Sequence, residues 1–507
     1  MRFQLYFLLP LLFIFRGYGQ PGFNKIYDLD GPSCTFINGI LSNDTLFVIG
    51  GGMQDSLPGV QGIYLIESDT NGNILNVFPY FDEDHKDLGL SERTDLLRLA
   101  NGDLIACGGY LSENTLFLIR YSAQGDIVFF NKIPIDSTTG AGQYELSVYK
   151  NGFLIQGTLV NLENKLKTYL IRTDQEGNVI WEKRYGAPGQ DESSRCMRIL
   201  DDNTIVIGSY TGNFFIDPYT HSRIYAVDSL GEIKWAWESP ANNEGPVSDV
   251  LRMPNGDWLY VNKKAQILSQ NSWLGRNQLV RRDSNWNLLW AVPISPTPWF
   301  RSTAGKLLPT PDGNWIISEH AALIGPNFSA VFPDGMAGCL TKISSNGEIF
   351  WQTCDTVHWE VTTTFSEESA GGHVVLPSGS AILIGHSDHY PPPTRTYGWM
   401  FKTDANGCIY APCSVGVEEG PAVGEESGIK VFPNPAQDRL TVQIPASPSD
   451  ILLTLYGPTG SVVYRGTVAG GLTSTEIGLA TLPAGLYSLE ARSEGKLLFS
   501  RKILIQR

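Results

Sequence analysis

Side chains able to do chemistry are spread thinly along the 507 residues, and few stand at a spacing that a reaction requires. For metal, the two dense groups are Asp82-Glu83-Asp84-His85-Lys86-Asp87 and His386-Ser387-Asp388-His389. Neither has the ligand spacing of a calcium loop or a zinc site, and both read as solvated charged loops. There is no Gly-x-Ser-x-Gly, and no cysteine stands in a protease-like context. Phosphate-cradling glycine loops are absent too, so no metal and no cofactor is expected. What remains is a set of aromatics outside any repeat register, including Phe214, Phe215, Tyr219, Trp273, Trp299, Phe300, Trp359 and Tyr390, beside Arg301, His386 and His389. Flat apolar rings with a few charged groups suit sugar rings or extended peptide. The residues expected to bind ligand are Phe214, Tyr219, Trp273, Trp299, Arg301, Trp359, His386 and Tyr390; catalytic residues are unknown.

The elements that must position them repeat. Thr168–Tyr210 holds two hairpin signatures in tandem, the first turning at Glu176-Gly177 between Tyr169–Thr173 and an alternating run through Val179, Trp181, Lys183 and Tyr185. The second turns at Asp202-Asn203 between Met197–Leu200 and Thr204–Gly208. Period-two alternation marks strands with two different faces, and two hairpins make a four-stranded antiparallel sheet, the size of one propeller blade. Inner-type turns recur at Asn43-Asp44, Asn101-Gly102, Asn151-Gly152, Asn255-Gly256, Asp312-Gly313 and Ser378-Gly379, and outer-type turns at Asn71-Gly72, Gln124-Gly125, Leu230-Gly231, Asn285-Trp286, Asn346-Gly347 and Asn406-Gly407. Trp286 breaks the rule of glycine at the left-handed position. Seven copies of each predict a seven-bladed β-propeller on residues 20–413. The run Phe23–Leu29 is a spare outer strand and the last outer hairpin lacks one, so the ends are expected to close the ring by pairing. Trp181, Trp235, Trp290 and Trp351 hold one place in successive units and are expected to pack between blades.

Tight turns emerge on one side of such a ring. The longer connections, 79–93, 210–222, 262–276, 291–302, 319–336, 353–370 and 386–396, emerge on the other and carry the aromatic set, so that face is expected to bind. Seven cysteines leave at least one unpaired. Cys408 and Cys413, five apart across an Ala-Pro bend, are the disulfide candidate. Counting out from Asn346-Gly347 puts Cys339 opposite Thr353 and Cys354 on the other face, so that pair is not expected without a bulge. Cys34, Cys107 and Cys196 read as small buried hydrophobes.

Residues 1–19 have an early Arg2, an apolar run from Leu5 to Phe15 and small residues before Gln20, the pattern of a secretory signal peptide. A net charge of −15 argues against nucleic acid as a partner. From Ser414 the periodicity stops, and 414–428 reads as a flexible acidic linker. Beyond it, 429–507 alternates in short strands with Gly and Pro turns, which predicts a small β-sandwich. The fold class is therefore all-β: a propeller, then a sandwich.

The tail carries Lys430-Val431-Phe432-Pro433-Asn434-Pro435, then Leu455-Tyr456-Gly457-Pro458-Thr459-Gly460, then Leu482-Pro483-Ala484-Gly485-Leu486-Tyr487, with Lys502 near the end. This resembles the type A C-terminal sorting domain of proteins exported by the type IX secretion system of the Bacteroidota. Gly457 departs from the family's usual acidic or polar residue. The resemblance implies a sorting motif at Pro433, Asn434, Pro435, Gly485, Tyr487 and Lys502, the type IX machinery as a partner, export across the outer membrane, removal of the tail, and attachment to surface lipopolysaccharide. The propeller resembles more loosely the repeats often found upstream of such tails, which implies no substrate. The expectation is an exported, cell-surface protein binding an extracellular glycan or peptide through its long-loop face. The alternative is an extracellular hydrolase or lyase acting on polysaccharide with carboxylates in the central funnel. Two carboxylates about 5–10 Å apart at the axis would favour it.

Overall fold

The computed structural model describes residues 22–505 apart from 30–32, 54–58, 83–86, 111–112, 137, 213–219, 241–243, 270–271, 295–299, 324–335, 356–364, 391–394, 410–428, 435, 446–448, 457–461, 481, 483–484 and 494–495. It divides into two compact units, Met1–Cys413 and Ser414–Arg507.

In the first unit each hairpin pair forms one blade. Blade 1 runs Ser33–Ser42, Thr45–Met53, Gln61–Asp69 and Ile74–Tyr80. Blade 2 has a split first strand, Leu88–Gly89 and Leu96–Arg98, followed by Leu104–Tyr110, Thr115–Tyr121 and Ile127–Pro134. Blades 3 to 6 begin with Thr138–Val148, Glu192–Asp201, Glu244–Arg252 and Phe300–Pro309, and each continues outward through three antiparallel neighbours. Blade 7 takes Phe365–Val375, Ala381–Tyr390 and Arg395–Thr403 from one end of the unit and Phe23–Tyr27 from the other, in the register Phe23↔Lys402 to Tyr27↔Gly398. The seven-bladed ring and its closure are those the turns predicted.

What holds the ring is one apolar cluster per blade interface. Leu154, Leu170, Ile205 and Ile207 join blades 3 and 4; Phe36, Val48, Ile384 and Met400 join blades 1 and 7; five comparable clusters fill the other gaps. Trp181, Trp235, Trp290 and Trp351 all lie in these interfaces. Each outer turn also rests on the outer strand of the preceding blade, which gives its glycine a second reason. Gly407 has φ 89°, and a Cβ there would stand 2.6 Å from the Trp351 ring. Trp286, the exception, has φ 67°. Its ring lies between Trp237 and Trp258, with centroids 4.7 and 5.0 Å away and planes within 10°. Arg282 caps Trp237 and Arg252 caps Trp258, at 4.7 and 4.3 Å. This five-layer stack offsets the left-handed backbone that glycine would adopt freely.

Two expectations are corrected. The stretch 262–276 is not a loop: Trp258–Ser269 and Ser272–Arg282 continue as one long hairpin, with Lys263 opposite Asn277 and Ile267 opposite Trp273. Cys339 and Cys354 are disulfide-bonded. The register shifts between Lys342 and Ile343, so Phe350 is the extra residue and Cys339 faces Cys354, not Thr353. Cys34, Cys107 and Cys196 are buried thiols, while Cys413 lies outside the described residues.

The second unit has a three-stranded sheet of Lys430–Phe432, Arg439–Gln443 and Ser474–Gly478, and a four-stranded sheet of Ile451–Tyr456, Val462–Val468, Gly485–Ser493 and Lys496–Ile505. One core that includes Leu440, Val442, Leu453, Leu455, Leu489 and Ile503 unites them, the sandwich expected.

Candidate functional site

The innermost strands share an irregularity that the outer hairpins do not place at the axis. Their register with the second strand shifts between Phe36 and Asn38, Gly142 and Glu145, Ser194 and Cys196, Val247 and Asp249, Ala304 and Leu307, and Ala370 and Gly372. In blade 2 the strand breaks between Gly89 and Leu96 instead. A bulge redirects a side chain out of the alternation. Here it gathers Asn38, Asp95, Glu145, Arg198, Asp249 and Lys306 from six blades at the axis.

Lys306 reaches across the ring. Its Nζ lies 2.9 and 2.8 Å from Asp95 Oδ1 and Oδ2, and 2.5 Å from Glu145 Oε1. Arg198 holds Asp249 with both ends of its fork, Nε to Oδ1 at 2.8 Å and Nη2 to Oδ2 at 2.5 Å. Backbone completes the carboxylates: Leu307 N donates to Asp249 Oδ2 at 2.7 Å, and Leu146 N to Asp95 Oδ2 at 3.3 Å. Asn38 Nδ2 donates to Asp95 Oδ1 at 3.3 Å. Arg93 Nη1 crosses from blade 2 to Ser248 O in blade 5 at 3.1 Å. Burial alone would lower the Lys306 ammonium, but Asp95 and Glu145 hold it above its ordinary range. Burial lifts the Glu145 carboxyl above its ordinary range against the pull of Lys306. In blade 7, His373 accepts at Nδ1 from Ser318 Oγ (3.0 Å) and donates from Nε2 to Ile316 O (3.0 Å), and burial brings its pKa down to about 4.

Beside this network is a cavity of about 330 Å³ lined by Glu92, Arg93, Asp95, Arg198, Lys306 and His373, and by the apolar Ile40, Leu41, Leu308, Val374 and Val375. Glu92 is exposed to water yet walled by protein, as a side chain in a solvated funnel is. Burial would raise its carboxyl, but His320, Arg195, Arg93 and His386 together hold it below the usual carboxylate range. Arg93 and Arg195 are each only 8% exposed.

Of the residues expected to bind ligand, Phe214, Tyr219, Trp299 and Trp359 lie outside the described residues. The backbone of Trp273 is opposite Ile267, that of Arg301 opposite Ala322 and that of Tyr390 opposite Phe365. His386 is opposite Ser369 and Gly398 and is one of the four cations or imidazoles around Glu92. In the tail, Pro433 and Asn434 are exposed, Tyr487 is buried, Gly485 is opposite Ile505 and Lys502 opposite Ser488. Pro435 lies outside the described residues. The axial set was missed because each member is isolated in sequence. A signal was there: Asp95, Glu145, Asp249 and Lys306 each stand six positions ahead of the turn residues Asn101, Asn151, Asn255 and Asp312.

Residues 430–506 match the family described as a secretion system C-terminal sorting domain. No curated protein matches the chain. Among solved structures, the chain is similar to an α-L-arabinanase of Penicillium chrysogenum complexed with arabinobiose, at 12% identity and TM-score 0.42, over 77% of this chain and 99% of that one. It is also similar to the α-L-arabinofuranosidase Arb93A of Fusarium graminearum, at 11% identity and TM-score 0.40, over 78% and 100%. A thermostable family-43 glycoside hydrolase follows at 13% and 0.32, over 53% and 93%. Likeness of that degree says nothing of substrate or reaction. The tail does speak to destination: a chain that ends in this sorting domain is secreted across the outer membrane, to the cell surface or the medium.

Proposed function

We propose that this chain is an extracellular binding propeller, held or released at the surface of a bacterium of the Bacteroidota, that takes a glycan or peptide at the long-loop face around the axial funnel. The observation that carries binding over hydrolysis is the state of the axial carboxylates. Asp95 and Glu145 share the Lys306 ammonium, and Asp249 is forked by Arg198. Asp95 and Glu145 are about 5 Å apart at most, the spacing of a retaining glycosidase pair. The ammonium, however, occupies the space between them where a scissile bond would lie. Carboxylates so engaged bind blades together; they are not poised to exchange protons with a substrate.

The tail 429–507 would pass the chain to the type IX machinery and be cut within 414–428, with attachment to lipopolysaccharide as one fate. A glycan and peptide array on the full chain tests the reading. Once a ligand is found, alanine at Trp273, Trp299 and Trp359 should weaken it, and changes at the tight turn Asn151-Gly152 should not. Release of new reducing ends from a polysaccharide, abolished by Glu145→Gln, would overturn it in favour of the hydrolase.

A further inference from the structure

We propose that the cleft between blades 2 and 3 on the tight-turn face is a second binding site, which takes the sulfate or phosphate ester of a sugar between Arg98 and Lys150. It lies on the opposite side of the ring from the long loops and does not rest on the reading given for that face. Three observations support it.

The first is enclosure. A cavity of about 550 Å³ is lined by Arg98 and Arg120 from blade 2, by Lys150 and Gln175 from the two turns of blade 3, and by the apolar Val148. A second hollow of about 450 Å³ shares Arg98 and the turn that follows it. The second is sign. Arg120 is neutralised by Asp103, with Nη2 2.7 Å from Oδ2. Arg98 and Lys150 are exposed, and among the described residues neither meets a carboxylate: Arg98 donates to Ser42 Oγ, and the Lys150 ammonium lies 5.2 Å from the centre of the Tyr149 ring. No acidic side chain among the described residues lines the cavity. The chain carries −15, and aspartates such as Asp69, Asp174, Asp228, Asp283 and Asp404 cap its outer turns, so two unpaired cations in one concave cleft focus anions there. The third is backbone. Lys150 has φ 49°, in the left-handed region. Among the described residues, the others there that are not glycine are Asn43 and Asn164, of a type that tolerates it, and Trp286, which its stack holds. The corresponding position in five other blades is Ala100, Asp201, Pro254, Pro311 or Pro377. Left-handed backbone at a lysine is unfavourable, and residues held that way cluster where ligands are bound.

The donors select among anions. Arg98 stands on one blade and Lys150 on the next, so a group held by both must present oxygens in more than one direction. A tetrahedral ester has three terminal oxygens pointing apart, whereas a carboxylate has two in one plane and matches a single guanidinium fork. Lysine serves the tetrahedral group as a point charge. The Gln175 amide can both donate to and accept from a hydroxyl, and Val148, 47% exposed, offers an apolar surface to a sugar ring. A bare inorganic ion would leave both unmatched.

The test is calorimetric titration of the full chain with galactose 6-sulfate, galactose 6-phosphate, galacturonate, galactose and inorganic phosphate. At least one ester should bind about tenfold or more tightly than galacturonate, galactose or the inorganic ion, the discrimination expected from charge-assisted hydrogen bonds to two cations. A preference for one ester supports the site and names the source, a sulfated or a phosphorylated glycan. Arg98→Gln should weaken the favoured ester about tenfold. Lys150→Asn should weaken it as much while the thermal midpoint stays equal or rises, because asparagine takes left-handed backbone more readily; a merely structural lysine would not separate binding from stability in this way. Binding of neither ester, galacturonate or inorganic phosphate bound as tightly as the ester, or either variant without effect on binding would each overturn the proposal. So would an equal loss from Lys183→Gln, whose ammonium pairs with Glu232 and does not line the cleft.

Discussion

Lys306→Met removes the one cation between two carboxylates that have little water to fall back on. The side chains of Asp95 and Glu145 are 9% and 1% exposed. Removing one partner of a buried ion pair costs about 3–5 kcal/mol, because the other charge is left uncompensated. Asn38 and Leu146 N still serve Asp95, which places the cost near the lower end, about 3 kcal/mol. For a ring of this size the unfolding entropy is about 0.8 kcal/mol/K, so the midpoint should fall by about 4 °C at pH 7. The loss has a pH signature. Glu145 already has a raised carboxyl, and without Lys306 it rises further, so protonation relieves the repulsion. The deficit should therefore shrink as pH falls from 7 to 5. Combining Lys306→Met with Asp95→Asn and Glu145→Gln replaces the triad with neutral groups and should recover most of the stability. Thermal unfolding followed by tryptophan fluorescence measures all three. A midpoint unchanged at pH 7, or a triple variant no better than the single one, would show that the network does not hold the blades together.

Trp286→Gly relieves the left-handed backbone, a gain of about 0.5–1 kcal/mol, but removes the middle ring of the stack between Trp237 and Trp258. The net change should be a destabilisation of about 1–2 kcal/mol, read from denaturant midpoints; a more stable variant would mean the stack contributes nothing. His373 has its folded pKa lowered to about 4 against an unfolded value near 6.5, so its contribution is present above pH 6.5 and is lost as pH falls toward 4. That loss is about 3 kcal/mol, and His373→Gln should flatten the acid limb of the stability curve between those values. Deleting 429–507 should leave the propeller inside the cell envelope, checked by fractionation; unchanged export would refute the sorting assignment of the tail.

The parts of the fold that a local pattern encodes were legible. Turn dipeptides such as Asn151-Gly152 and Glu176-Gly177 state their hairpins, and seven of each state the ring. The closure followed from counting, since Phe23–Tyr27 was a strand without a hairpin and the last hairpin was short of a strand. Bulges were not legible, because an extra residue such as Phe350 looks like any other apolar strand residue; that is why Cys354 was assigned to the wrong face. The long hairpin of Trp258–Ser269 and Ser272–Arg282 was hidden for a related reason. Its polar, lysine-containing strands alternate too weakly to stand out from a loop. The axial site was hidden by distance. Lys306 meets Asp95 across 211 residues, and only the closed ring gives either a partner.

The closing strand also decides how the ring responds to force. Phe23–Tyr27 and Arg395–Thr403 are neighbours, and Trp399 Nε1 donates to Asn24 Oδ1 at 2.6 Å across 375 residues of chain. The segment that leads to the secretion tail follows directly from that blade. A pull transmitted along the chain from the tail therefore enters the ring at the blade that this seam closes, and first meets the turn after Thr403, which Trp351 Nε1 and Thr353 Oγ1 of blade 6 hold through Ala405 O and Gly407 O. A cut within 414–428 leaves both strands of that ladder, Phe23–Tyr27 and Arg395–Thr403, on the propeller side, so the load is released with the seam still paired.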